Sequence, residues 1–441
     1  MSISTLGTDQ VDESIQIDSV AVPHMRLYNT LSLGVERLAP REEPVGVYVC
    51  GITPYDTTHL GHAFTYTAVD VLVRYLEFRG HRVKYVQNVT DVDDDILRKA
   101  KEVGEDWRAL GDRWTAHFIR DMKALNVRPP DHFPRATSVI PQIIDMVQRL
   151  LDAGVAYESG GSIYFQIDAW SQYGRLSRLP RHEMLPIANE RGNHPDDPNK
   201  RDPLDFVLWQ AQAAGEPAWD SPWGPGRPGW HIECSTMAMH YLGDSVAIHS
   251  GGADLTFPHH ESEIAQAEAA TRQTPFVRYW VHTAMVRYEG EKMSKSLGNL
   301  VMVDDLLKDW SPDALRLYLA RHHYRDAWSH DLQELEQAEM LAQKLGSAAS
   351  ADGGRLEMSD YAPLREAFTE AMDDDLDTPR AIRHLEQLAE AILDAVGAGR
   401  DVRSAQMVLR AMSSVFGLRL GSREPEERVR TGWDAYLMDF T

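Results

Sequence analysis

Residues 45–50, Val-Gly-Val-Tyr-Val-Cys, form a nearly unbroken apolar run of strand length, and their valines suit a strand buried on both faces. From Leu60 to Arg79 the pattern changes: Ala63, Tyr66, Val69, Leu72, Val73 and Leu76 recur at helical spacing, and Gly80 marks the stop. The stretch from Arg82 to Asp94, RVKYVQNVTDVDD, reads as the next strand and its loop. Strand, helix and strand in this order build an α/β unit with a parallel sheet, whose nucleotide sites lie at the carboxyl edge of the strands. Residues 160–230 break the rhythm with frequent Gly, Pro and Trp and read as an exposed, structured insertion. Strand and helix alternate again from HIECS to FPHHESEIAQAEAA, and after Asp304 every segment carries helical periodicity. The expected organisation is a flexible extension (1–24), an α/β unit (25–304), an all-helical bundle (305–420) and a short tail (421–441).

Composition narrows the class. Two cysteines are too few for a disulfide framework, so a reducing cytoplasm is the expected setting. Residues 1–24 lack the basic and apolar regions of a signal peptide, and no run of about 18 apolar residues suggests a membrane span. A net charge of −22 argues against a protein that coats nucleic acid nonspecifically, while leaving room for a local basic patch.

Three groups of residues carry candidate chemistry. Cys50 ends the first strand, Cys234 lies in HIECS, and His259 and Glu263 stand one helical turn apart, on one face of a helix. Together they form a donor set suited to Zn²⁺. Spacing alone favours the alternative of two buried free cysteines beside a surface His–Glu pair, because no CxxC pair is present. His59 and His62, in His-Leu-Gly-His, flank a glycine where a loop opens a helix; helix-end amides and imidazoles there can meet phosphate charge. Lys292 and Lys295 lie in GEKMSKSLGN, a Gly- and Ser-rich loop able to bring an ammonium to a developing pyrophosphate. Taken alone, it reads as a solvated charged turn.

In combination these motifs are more specific. His-x-Gly-His after the first strand and Lys-Met-Ser-Lys-Ser after the last resemble the paired signatures of class I aminoacyl-tRNA synthetases. YVCGITPYD, NVTDVDD, PLDFVLW, GRPGWHIECS, GGADLTFPHHESEIAQ and GEKMSKSLGN, in this order, resemble the cysteinyl-tRNA synthetase family over about residues 25–420. The resemblance implies a Rossmann-like catalytic domain with an insertion, followed by a helical bundle. It implies zinc on Cys50, Cys234, His259 and Glu263, and a wall for the cysteine pocket at Trp230. It further implies that His59 and His62 contact ATP phosphates, that Lys292 and Lys295 serve the signature loop, and that Lys295 stabilises departing pyrophosphate. Gly252 and Asp254 are expected to hold the nucleoside, and Thr65, Asn88 and Thr90 to line the adenylate pocket. The implied reaction is activation of L-cysteine by ATP with Mg²⁺ and transfer to tRNA(Cys), by a monomer without membrane contact.

A related family, the mycothiol-pathway cysteine ligase, joins activated cysteine to glucosaminyl-inositol on the same catalytic body. Three features resemble it: Phe64, where synthetases commonly carry Arg; the segment ERGNHPDDPNK; and the few residues after Leu420, too few for an anticodon-binding domain. Glu263 favours the synthetase, because the sugar ligase generally uses three protein ligands. A non-catalytic cysteine or nucleotide sensor is disfavoured by the intact His and Lys signatures.

Overall fold

The structure is a computed structural model, and it describes residues 25–40, 43–55, 58–293, 298–357, 361–422 and 424–438. A short antiparallel pair, β1 (Arg26–Asn29) and β2 (Gly34–Arg37), precedes the first buried strand, β3 (Val45–Ile52). Helix α1 (Leu60–Phe78) follows, and Gly80 closes it with φ +87°, a left-handed turn that glycine adopts without strain. After β4 (Val83–Val89) come α2 (Asp94–Val103), α3 (Trp107–Ala124) and α4 (Ile140–Asp152).

The segment expected as an exposed insertion is a sheet with a packed face. Strands β5 (Ala156–Ser159) and β6 (Ser162–Phe165), then helix α5 (Arg181–Asn189), then β7 (Phe206–Ala211) and β8 (Gly226–Pro228) form a four-stranded antiparallel sheet. Ile163, Phe165, Leu208 and Trp209 are buried in the same apolar cluster as Cys50, Val86 and Cys234. The insertion thus forms one wall beside the metal-type residues.

Helix α6 (Trp230–Leu242), β9 (Val246–Gly252), α7 (His259–Thr271) and β10 (Val277–Thr283) complete the α/β part. The central sheet has the order β10-β9-β3-β4 and is parallel throughout. Cys50, Asn88 and Gly252 therefore lie at the carboxyl ends of neighbouring strands, the edge where such sheets bind ligands. Short strands β11 (Val286–Tyr288), β12 (Glu291–Lys292) and, beyond two helices, β13 (Trp328–Ser329) form a small sheet next to the signature-loop segment.

The remaining chain is mostly helical: α8 (Val303–Asp309), α9 (Pro312–Ala320), α10 (Leu332–Ser350), α11 (Ala362–Asp373), α12 (Thr378–Gly397) and α13 (Arg403–Val415), with a short parallel strand pair (Leu356–Glu357 and Arg400–Asp401) among them. Helix α8 spans the boundary expected at 304/305, and one apolar core runs from Val47 and Leu72 through Leu315 to Leu385 and Phe416. The segment expected as a tail carries a further helix, α14 (Glu427–Leu437), which packs on α3. Its Trp433 is fully buried and donates from Nε1 to the carbonyl of Val127 at 2.8 Å.

A buried ionic cluster joins the α/β part to the helices. Asp70 and Arg74 of α1 pair at 2.9 Å, and the Arg316 guanidinium of α9 bonds the same carboxylate and the carbonyl of Phe416. Arg74 also donates to the carbonyl of Asn126 and to Glu426, both within 2.9 Å. Burial raises the Asp70 carboxyl, but Arg74 and then Arg316 outweigh it and hold the group below its ordinary value.

Removing one partner from such a cluster leaves a buried charge uncompensated. Arg316→Met should cost about 3–5 kcal/mol in urea unfolding, and a change within ~0.5 kcal/mol would contradict the role given to this cluster. The depressed Asp70 value stabilises the fold at neutral pH, and that contribution is lost as pH falls through the folded-state value. Wild-type stability should therefore decline below about pH 4, and the decline should be shallower in Asp70→Asn.

Candidate active site and metal centre

Cys50 comes from the end of β3, Cys234 from α6, and His259 and Glu263 from successive turns of α7. All four are buried, and one donor atom from each lies within 4.8 Å of every other. The Cys50 Sγ is 3.5 Å from Glu263 Oε1, and His259 Nε2 is 3.3 Å from that oxygen. The His–Glu pair read from spacing as a surface pair is thus in the interior, because α7 is enclosed on all sides and even its polar residues are buried. The cysteines are free thiols brought to one place.

Four further histidines surround this set. His260 Nε2 lies 3.2 Å from Cys50 Sγ, and His249 Nε2 lies 3.1 Å from Glu263 Oε2. Cys50, His249, His260 and Glu263 form a second group with the same donor spacing. His231 meets His259 at 2.9 Å, and His282 meets His260 at 2.7 Å while its other ring nitrogen meets the Thr30 hydroxyl. Burial pushes His259 and His260 well below the ordinary imidazole value and takes His231, His249 and His282 down to about 3. They are neutral at physiological pH, the form in which imidazole offers a lone pair to a metal. Burial pushes the Cys50 thiol and the Glu263 carboxyl up, and at Cys50 the neighbouring Cys234 adds to the effect.

His249 and His282 were absent from the sequence reading. Their signal was a single polar residue near the end of an otherwise apolar strand, in VAIHS and YWVHT.

Trp230 opens α6 and stacks on His259, with ring centroids 4.3 Å apart. Asn88 has a more internal role than lining a pocket. It is wholly buried; its Oδ1 accepts from the Tyr48 hydroxyl (3.1 Å) and the Gly51 amide (2.8 Å) and lies 3.7 Å from Cys234 Sγ. Its Nδ2 donates to Thr90 Oγ1 at 3.3 Å. Thr65 Oγ1 meets Thr283 Oγ1 at 2.7 Å, tying α1 to the end of β10.

At the start of α1, His59 is the N-cap: its Nδ1 accepts from the amides of Gly61 (3.1 Å) and His62 (3.4 Å). Those two amides, expected from the sequence to meet phosphate, are engaged by the imidazole itself. The rings of His59 and His62 stack at 3.9 Å. Gly252 ends β9 and Asp254 begins the turn after it, where the Arg191 guanidinium donates to the Asp254 carbonyl and lies 3.6 Å from its carboxylate. Phe64 is buried edge-on against Trp328. The backbone of Lys292 pairs with Arg287, and Lys295 lies outside the described residues.

A family model described as the tRNA synthetases class I (C) catalytic domain matches residues 37–340, and a DALR domain model matches residues 367–421. The chain belongs to this class I tRNA synthetase family. It is 43% identical over 406 residues to a cysteine–tRNA ligase of Dehalococcoides mccartyi, covering 91% of this chain and 88% of that protein. It is 45% identical over 375 residues to the L-cysteine:1D-myo-inositol 2-amino-2-deoxy-alpha-D-glucopyranoside ligase of Thermomonospora curvata, covering 85% of this chain and 89% of the other. Among solved structures, Mycobacterium tuberculosis methionyl-tRNA synthetase in complex with methionyl-adenylate matches with a TM-score of 0.60 at 18% identity, a likeness of fold. That match covers 90% of this chain and 91% of the other. Among the described residues, no helix is long and apolar enough to cross a membrane.

The close approach of β3 to β4 positions this synthetase's Cys50. A Cβ placed on Gly51 would fall 1.5 Å from the Asn88 carbonyl oxygen, so no side chain fits there. Gly51→Ala should force the strands apart and cost about 3 kcal/mol or more. A urea midpoint equal to that of the wild type would show that the contact is not confining.

Proposed function

We propose that this chain activates L-cysteine with ATP to cysteinyl-adenylate, releasing pyrophosphate, and passes the cysteinyl group to tRNA(Cys). The observation that carries the reading is the buried convergence of Cys50, Cys234, His259 and Glu263 at the carboxyl edge of the sheet. Its chemistry fits zinc: two thiols, a neutral imidazole and a carboxylate, with donor atoms close enough for one ion. A zinc ion held by these four residues supplies affinity for a substrate thiolate, which a serine hydroxyl matches poorly.

The chain's own residues do the rest. Trp230, stacked on His259, walls the pocket and excludes water from the thiol. His59 and His62 face the ATP phosphates with ring N–H groups, since His59 Nδ1 is occupied by backbone amides. Asp254, steadied by Arg191, takes the ribose hydroxyls, and Thr65 and Thr90 flank the adenylate. Lys292 and Lys295 bring positive charge to the departing pyrophosphate, and Mg²⁺ enters with ATP as part of the substrate. Catalysis is then positioning and charge stabilisation of the cysteine carboxylate as it attacks the α-phosphate.

A second reading, transfer of the same activated cysteine to an amino sugar-inositol, is favoured by the similarity to the ligase of Thermomonospora curvata and by Phe64. Glu263, within reach of Cys50, supports the tRNA reading.

Elemental analysis of purified protein should find one zinc per chain, and Cys234→Ala should lose it; equal zinc in both would remove Cys234 from the centre. Lys295→Ala should keep its zinc and lower cysteine-dependent pyrophosphate exchange by about 10²–10³-fold. An unchanged rate would take Lys295 out of the mechanism. With cysteine and ATP supplied, tRNA(Cys) should be charged. Cysteinylation of glucosaminyl-inositol alone would replace the acceptor proposed here while leaving the adenylation chemistry in place.

A further inference from the structure

We propose that Glu233 is the group that receives the α-ammonium of the amino-acid substrate, an inference that rests on the activity proposed above. Glu233 stands in the first turn of α6, beside Cys234. It is 0% exposed, and neither of its carboxylate oxygens has a hydrogen-bond partner among the described residues. Most of the other buried carboxylates contrast with it. Asp70 is held by Arg74 and Arg316, Asp205 by the Tyr157 hydroxyl and the Ile167 amide, and Glu261 by the amides of Leu176 and Ser177. Glu268 pairs with Arg175, and Glu263 lies among the metal-type residues. A fully buried carboxylate left without a partner costs folding energy, so it calls for a function.

Its surroundings indicate what it awaits. The Thr90 hydroxyl is near the carboxylate without forming a well-aligned hydrogen bond to it, and the acids Asp91 and Asp93 lie close by. No cation among the described residues pairs with it. The guanidinium of Arg227, on the strand before α6, is turned to Asp94 and Glu216. Burial without a partner pushes the Glu233 carboxyl well above the ordinary value, and the amino end of α6 offsets this only in part. The missing complement is a small cation able to donate several hydrogen bonds.

Such a cation arrives with the substrate. Thr90 is linked through Asn88 to Cys234, so the carboxylate and the thiol cluster flank the end of β4 together. A cysteine held by its sulfur at Cys50, Cys234, His259 and Glu263 carries its ammonium two carbon atoms from that sulfur. Glu233 then reads the amine while the thiol cluster reads the sulfur, and an amine-free thiol acid of the same length satisfies only half of the site.

Pyrophosphate exchange by the wild type and by Glu233→Gln, with 3-mercaptopropionate as competing inhibitor, tests the assignment. In the variant the KM for cysteine should rise about 10–100-fold with kcat within a few-fold, while inhibition by 3-mercaptopropionate stays the same. An unchanged KM overturns the proposal. So does equal weakening of cysteine and 3-mercaptopropionate, the pattern of a purely structural residue. If Glu233→Gln loses zinc or fails to fold, the wild type decides: 3-mercaptopropionate should bind at least about tenfold more weakly than cysteine, and equal binding overturns the proposal. Absence of any cysteine-dependent exchange in the wild type would instead overturn the underlying activity, and this assignment with it.

Discussion

Cys50 at the end of the central strand must meet Glu263 on α7, and the site depends on that contact. A thiol on β3 reaches a carboxylate far along the chain only because β9, β3 and β4 run parallel, which brings α6 and α7 to their carboxyl edge. The β3/β4 pairing shifts by one residue between Val49 and Ile52, and Gly51 permits the close approach there, since a Cβ on it would meet the Asn88 carbonyl. Asn88 then uses its whole amide to fix Tyr48, Gly51 and Thr90 and to approach Cys234. The buried donors are thus preorganised by strand geometry rather than by flexible loops, which is what a tight metal site requires.

The second constraint is mechanical. His59 and His62 sit at the start of α1, and the Asp70–Arg74–Arg316 cluster grips the same helix further along. Helix α9 and the turn after α13 therefore fix the axis on which His59 and His62 are mounted. Because the apolar core is continuous across Asp304, the helices share in positioning the site.

Much of this was legible in the sequence, and the failures have physical causes. The apolar run before Cys50 and the periodicity from Leu60 to Arg79 were strong because each obeys a single period over its full length. The convergence of Cys50, Cys234, His259 and Glu263 was not legible from spacing, since tertiary structure alone unites them; only the resemblance of the surrounding motifs suggested it. The antiparallel sheet from Ala156 to Pro228 was obscured by its turns, whose Gly and Pro residues dominate the composition and conceal the buried Trp209. Helix α14 was overlooked because its apolar positions, Val429 and Trp433, are few and sit among charges. Glu233 gave no sequence signal at all, and the resemblance pointed to Asn88 only as a pocket residue, because both roles arise from which hydrogen bonds the fold leaves open or closes.

The relatives are named for two different acceptors of cysteine, and the role proposed for the buried donor set is the same for either. The central claim is that this set holds zinc and that the zinc receives the substrate's sulfur. X-ray absorption at the zinc edge tests it most directly, on purified protein with and without cysteine. The account predicts two sulfur neighbours from Cys50 and Cys234 in the free protein and a third when cysteine is bound. A zinc spectrum that cysteine leaves unchanged, or one with no sulfur neighbours, would contradict it.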